Sequence, residues 1–212
     1  MSKIKKIARV ENIPAKRVGN FEIKKEKLEK EIYPNGFFSR SMKKGETLVR
    51  LFQHNGDRAS LWMSNTYDEK LSQYFHPCTG NILIGGLGIG LVLEYIQVQV
   101  KNAHKVTKVV VVEKEQGVID LVADTFKRKM KYLEIICGDI FEFGKTYQHK
   151  DFFDAAFIDV WGNVSEDDLS SMTKVKRSLR RVMKPGRGRI KCWAEGSLRY
   201  SRRTNNRTHV IY

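Results

Sequence analysis

Asn81-Ile82-Leu83-Ile84-Gly85-Gly86-Leu87-Gly88-Ile89-Gly90, followed at once by Leu91, Val92, Leu93, Tyr95 and Ile96, decides the reading of this 212-residue chain. Mostly apolar residues run into a glycine cluster, and an apolar run resumes behind it. That order spells a buried strand, a tight turn and a helix. Glycine has no Cβ, so such a turn can take positive φ and let a ligand touch the backbone. The helix N-terminus adds N–H groups with no partner inside the helix, aimed at the same place.

Downstream the pattern repeats. Lys108–Val112 holds four consecutive valines, a continuous apolar run that fits a parallel strand buried on both faces. The first helix is expected over Gly88–Val100 and a second over Gln116–Met130, with Val118, Ile119, Val122 and Phe126 on one side. Further strands are expected at Glu134–Cys137, Ala155–Ile158 and Arg189–Ala194. Before the last strand a helix carries Leu169, Met172, Val175, Leu179 and Val182 at spacings of three and four, with Ser165 as its cap and Asp168 completing a box-like arrangement. Strands alternating with helices imply an α/β protein with a Rossmann-like, doubly wound parallel sheet.

Upstream lies a different unit. Thr47–Gln53 and Arg58–Met63 flank His54-Asn55-Gly56-Asp57, and Asn-Gly between two such runs signals a hairpin. Pro34-Asn35-Gly36 reads as a turn. Pro14 and Gly19 break any long element, so residues 1–20 are expected to be loosely ordered. Tyr67–Phe75 reads as a linking helix. The expected division is a small β unit over residues 1–76 and the α/β domain with a basic tail over residues 77–212.

The net charge of +15 is unevenly placed. Residues 1–50 carry 14 Lys/Arg against 6 acids, residues 51–173 carry 12 against 17, and residues 174–212 carry 13 against 1. An acidic middle with basic ends is what a polyanion-binding surface needs, so nucleic acid is an expected partner. A solubility role for the same charge stays open. No apolar run approaches about 18 residues, so no membrane span is expected. Met1-Ser2-Lys3-Ile4-Lys5-Lys6 lacks a secretory apolar region. Cys78, Cys137 and Cys192 have neither metal-ligand nor disulfide spacing, and Cys137 and Cys192, in apolar runs, read as buried free thiols. No metal is expected, and the setting is read as reducing and cytoplasmic.

In such sheets a ligand sits beyond the C-terminal ends of the strands. The first strand ends in glycines, the second in Glu113, the third in Gly138-Asp139-Ile140 and the fourth in Asp159-Val160-Trp161-Gly162. Each acid alone is more often a solvated loop residue. Together they form a register. Glu113 can accept from two ribose hydroxyls and Asp139 from an exocyclic amine. No Gly-Lys-Ser/Thr follows the glycines, which excludes a P-loop, and Gly-x-Gly-x-x-Gly fails at Leu91. An anionic pyrophosphate suits three acids poorly, whereas a sulfonium cation with an amino group suits them well.

On these residues, 80–194 resemble a class I S-adenosylmethionine-dependent methyltransferase domain. The resemblance implies S-adenosylmethionine as cofactor. It places Gly86, Gly88 and Gly90, in the run opened by Gly85, under the cofactor's methionine part. It gives Glu113 to the ribose and Asp139 with Ile140 to the adenine. It matches Asp159 to the strand-four acid that faces the methyl-transfer centre, which makes Asp159 the candidate catalytic residue for removing a proton. The layout, with its small β unit in front, is similar to the spermidine synthase group. There the glycine run carries an acid where this chain has Gly88, and a second acid follows strand four where this chain has Gly162. Trp161 is a candidate to pack against a flat acceptor.

Three readings follow: a methyltransferase with an unidentified acceptor, nucleic acid among the candidates; an aminopropyltransferase-like enzyme acting on a small amine; and a non-catalytic protein that keeps the cofactor fold and binds nucleic acid or a protein partner. The spermidine synthase-like layout also implies a homodimer. About eighteen residues follow the last strand, with Gly196–Arg207 polar, basic and flexible in character, so the sheet is expected to stop short of the usual number of strands.

Overall fold

Phe21 and Ile23, then Val49 and Leu51, alternate with more exposed neighbours, and this period-two spacing builds one face of a small sheet. In the computed structural model, which describes residues 7–33, 40–76, 78–102, 104–161, 168–186 and 188–208, that sheet is antiparallel. It runs in the order β1 (Lys16–Val18), β2 (Phe21–Lys27), β3 (Thr47–Asn55) and β4 (Arg58–Ser64). The hairpin closes where expected, with Asn55 opposite Arg58 across Gly56-Asp57. The turn expected at Pro34-Asn35-Gly36 and the cap expected at Ser165 lie outside the described residues.

From residue 7 onward the opening segment is not loose, and residues 1–6 lie outside the described residues. Ala8, Val10 and Ile13 are buried. Ala8 N–H donates to Gln97 Oε1 at 2.8 Å, Gln97 Nε2 donates back to the Ala8 carbonyl at 3.1 Å, and Val10 N–H donates to Glu94 Oε2 at 3.0 Å. Pro14 and Gly19 interrupt elements locally, but partners more than 80 residues away supply the order.

A short helix α1 (Tyr67–Ser72) leads into the main sheet. Its strands and helices alternate as β5 (Gly80–Gly85), α2 (Leu91–Lys101), β6 (Val106–Glu113), α3 (Gln116–Lys127), β7 (Leu133–Cys137), α4 (Ile140–Thr146), β8 (Ala155–Ile158), α5 (Asp168–Leu179), β9 (Arg189–Cys192) and α6 (Glu195–Thr208). The sheet order is β7-β6-β5-β8-β9 and every pairing is parallel. The order reverses at β5, whose two neighbours are β6 and β8. This is the doubly wound α/β arrangement that the sequence pattern implied.

Alternation along the strands fills two cores. Ile82, Ile84, Val109, Val111 and Phe157 face α2, α3 and the antiparallel sheet. Leu83, Val110, Val112, Ala156 and Ile158 face α4 and α5. The N-terminal sheet therefore shares its core with one face of the main sheet.

Other details differ from the sequence expectations, including helices α1 and α3 and strand β9, which end earlier than expected. The helix behind the glycines starts at Leu91 rather than Gly88, because Gly88 and Gly90 hold φ of 49° and 79°, outside the helical region. Helix α4 follows Asp139, which caps it by accepting from Phe141 N–H at 2.8 Å. Cys137 is exposed at the end of its strand, whereas Cys78 and Cys192 are buried. The basic tail forms α6 through Thr208 instead of staying irregular.

Candidate functional site

The glycine turn and the end of β8 meet so closely that a side chain would not fit between them. A Cβ on Gly86, whose φ is 91°, would lie 2.0 Å from the Asp159 carbonyl oxygen. Gly90 is constrained from behind, since its Cβ would lie 2.4 Å from the Phe126 ring. Gly85 packs similarly against Ile140 and Ile158. These contacts hold the turn at the C-terminal ends of β5 and β8.

A cavity of about 370 Å³ opens there. Gly86, Gly88, Glu113, Asp139, Ile140 and Asp159 all line it. Gly85 and Gly90 are buried behind the wall and set the shape of the turn. The strand register thus brings together six of the eight residues expected at a ligand.

Glu113 is buried at the end of β6, with Oε2 accepting from Leu87 N–H at 2.7 Å and Oε1 accepting from Glu115 N–H at 2.9 Å. Its carboxylate fixes the glycine turn, and each oxygen keeps acceptor capacity for a ligand hydroxyl. Asp139 is exposed and spends one oxygen on the α4 cap. The other remains available at the rim.

Asp159 is held by a residue that sequence reading overlooked. Gln73 Nε2, from the residue that ends α1, donates to Asp159 Oδ2 at 2.8 Å. One helical turn earlier on α1, Glu69 also lines the cavity. Burial pushes Asp159 up to about 6 despite the opposing Gln73 hydrogen bond. Burial, reinforced by the neighbouring Asp159 and Asp68, pushes Glu69 up to about 7. Two carboxylates with displaced proton affinities therefore face one cavity, a pattern typical of proton-handling sites.

The N-terminal sheet supplies the facing wall through Leu51, Trp62 and Met63. Met63 Sδ accepts from Ile89 N–H at 3.5 Å, so the thioether rests on the glycine turn. Trp161 and Trp193 complete the surround, and with Trp62 they account for all three tryptophans of the chain. Among the described residues the lining includes five acids, Glu69, Glu113, Glu115, Asp139 and Asp159, against one cation, Lys114. Such a surface favours a cationic ligand with flat parts. Among the described residues no cluster of His, Cys, Asp or Glu is arranged to hold a metal ion.

No protein-family profile matches the chain, and neither does any curated protein. Solved structures do resemble it. A S-adenosylmethionine-dependent methyltransferase from Mesorhizobium loti aligns over 57% of this chain and 50% of its own, at 15% identity and a TM-score of 0.41. Fibrillarin from Aeropyrum pernix, solved with natively bound S-adenosyl-L-methionine, aligns over 68% of this chain and 66% of its own, at 17% identity and a TM-score of 0.42. Precorrin 8W decarboxylase from Methanobacterium thermoautotrophicum aligns over 67% and 72%, at 14% identity and a TM-score of 0.40. The chain spans about half the length of the first of these. These overlaps are partial, and the fold assignment stands on the strand order and parallel register.

Glu69, Gln73, Trp62, Met63 and Trp193 are among the lining residues that sequence reading missed. For Glu69 and Gln73 a signal existed, because their spacing of four puts both on one side of the linking helix.

Proposed function

We propose that the cavity binds S-adenosylmethionine and that the chain transfers its methyl group to a nitrogen of an acceptor. The carrying observation is the convergence of the glycine turn with Glu113, Asp139 and Asp159 on one acid-lined, tryptophan-walled cavity. The residues suit the group chemically. Glu113 would hold the ribose hydroxyls, Asp139 and Ile140 the adenine, and the Gly86–Gly88 turn the methionine part. The acids match a ligand with a sulfonium and an ammonium charge.

The cofactor supplies a methyl group already activated on a positive sulfur. The chain's own work is alignment, exclusion of water and removal of a proton. Gln73 fixes one oxygen of Asp159, which leaves the other to accept from the acceptor nitrogen. A carboxyl group titrating near 6 can take the proton that this nitrogen sheds. The tryptophans present flat faces on which a ring acceptor can stack.

Aminopropyl transfer to a small amine is a second reading, and one observation favours it. The sequence lacks the second acid after β8, but Glu69 from α1 lines the same cavity and lies close enough to Asp159 for the two charges to interact. Two carboxylates side by side would hold a protonated alkylamine.

The test uses methyl-labelled S-adenosylmethionine with a panel of nucleic acids and amines. Asp159→Asn should lower transfer by about 10²–10⁴-fold, with cofactor affinity at neutral pH changed much less. Full transfer by the variant would remove Asp159 from the mechanism.

A further inference from the structure

The sign of the charge changes abruptly between the cavity and the helices that leave it. The cavity is acidic, yet residues 174–212 contain 13 basic residues and a single acid, Glu195. That acid is already neutralised. Lys176 Nζ lies 2.7 and 2.5 Å from its two carboxylate oxygens, and Arg199 Nε donates to it at 2.9 Å. These bonds hold its carboxyl below the ordinary glutamate range, against the effect of burial.

The same contacts fix geometry. The Lys176–Glu195 bridge clamps the first turn of α6 against the C-terminal half of α5, so the outward faces of the two helices join. Lys174, Arg177 and Arg180 on the α5 side and Arg199 and Arg202 on α6 are exposed. The side chains of Lys174, Arg177, Arg180 and Arg202 make no ion pair or hydrogen bond among the described residues. Four basic residues of the N-terminal unit, Arg9, Lys24, Arg50 and Lys70, are by contrast each matched by a glutamate. Basic residues without partners, gathered on one two-helix face, leave an electrostatic demand that the fold itself does not meet.

We propose that the joined α5–α6 face binds the phosphodiester backbone of a nucleic acid. Helix α6 starts two residues beyond Trp193, which lines the cavity, so a strand lying along this face passes the cavity rim. Phosphates meet the basic face, and a neutral base is the part suited to the acidic interior. The proposal concerns binding alone and stands whether or not the cavity takes S-adenosylmethionine.

The test is fluorescence anisotropy of a labelled single-stranded oligonucleotide of mixed sequence, titrated with full-length protein over a range of salt. The comparison is between Lys174→Glu/Arg177→Glu and a control of equal charge change at the end of α3, Lys127→Glu/Lys129→Glu. Both pairs are exposed, and unchanged thermal midpoints would establish that both variants fold. The first variant should weaken binding at least tenfold, and its plot of log affinity against log salt should flatten by about 1.4, two contacts at about 0.7 each. The control should stay within about threefold of wild type, as nonspecific charge steering allows. Equal losses in both variants would reduce the effect to net charge and overturn the assignment. Tighter binding to anionic phospholipid vesicles than to the oligonucleotide, through the same two residues, would overturn the choice of partner.

Discussion

Lowering the pH should weaken the cavity's hold on a cation, because two of its acids titrate above the ordinary carboxylate range. Asp159 and Glu69 line the cavity and are pushed up to about 6 and about 7. Near pH 8 both are ionised and complement a positive ligand. At pH 5 a group titrating at about 6 is ionised in roughly one molecule in eleven, and one titrating at about 7 in roughly one in a hundred. If ionised Asp159 alone strengthens binding, affinity for S-adenosylmethionine falls by up to about tenfold between these conditions, and contributions from both acids raise that ceiling to about 10³-fold. The assay is built into the chain, because all three tryptophans line the cavity and their fluorescence reports occupancy. Glu69→Gln and Asp159→Asn should each flatten the pH profile. For folding, the sign is reversed. Stability contributed by the neutral carboxyls is full below their ordinary values of 4.5 and 3.8 and is lost as pH rises through about 7 and about 6. Affinity constant within twofold from pH 8 to pH 5, in a protein folded throughout, would refute the electrostatic account.

Two further substitutions test the frame of the site. Glu113→Gln cannot satisfy both Leu87 N–H and Glu115 N–H through two acceptor oxygens, so stability should drop by about 1–3 kcal/mol in denaturant unfolding. Cofactor affinity should fall at least tenfold in calorimetry, and unchanged affinity would confine Glu113 to holding the turn. Gly90→Ala places a methyl group 2.4 Å from Phe126 at a φ of 79°. Backbone strain and overpacking together should cost about 2–5 kcal/mol, and a loss below about 1 kcal/mol would contradict the packing described.

The parallel sheet was legible because its signals are local. Apolar runs at Ile82–Ile84, Val109–Val112 and Ala155–Ile158 need only neighbouring residues to be read, and each became a strand buried on both faces. Alignment of strand ends then places Glu113, Asp139 and Asp159 on one rim, because a parallel register carries the ends of adjacent strands to the same side. Signals that depend on distant partners were not legible. Gln73 reaches Asp159 across 86 positions, and the segment around Ala8 is ordered by Gln97 and Glu94. Trp62 and Met63 read as ordinary hairpin residues until the antiparallel sheet was seen to face the glycine turn. Glu195 shows the same limit, since only its contacts reveal that the one acid of the basic tail is spent.

The most direct measurement is calorimetric titration of the folded, full-length protein with S-adenosylmethionine. The account predicts saturable binding of one molecule per chain, weakened by Glu113→Gln and by acid pH. Absence of binding at neutral pH, with tryptophan fluorescence also unchanged, would contradict it and leave the cavity to a different ligand.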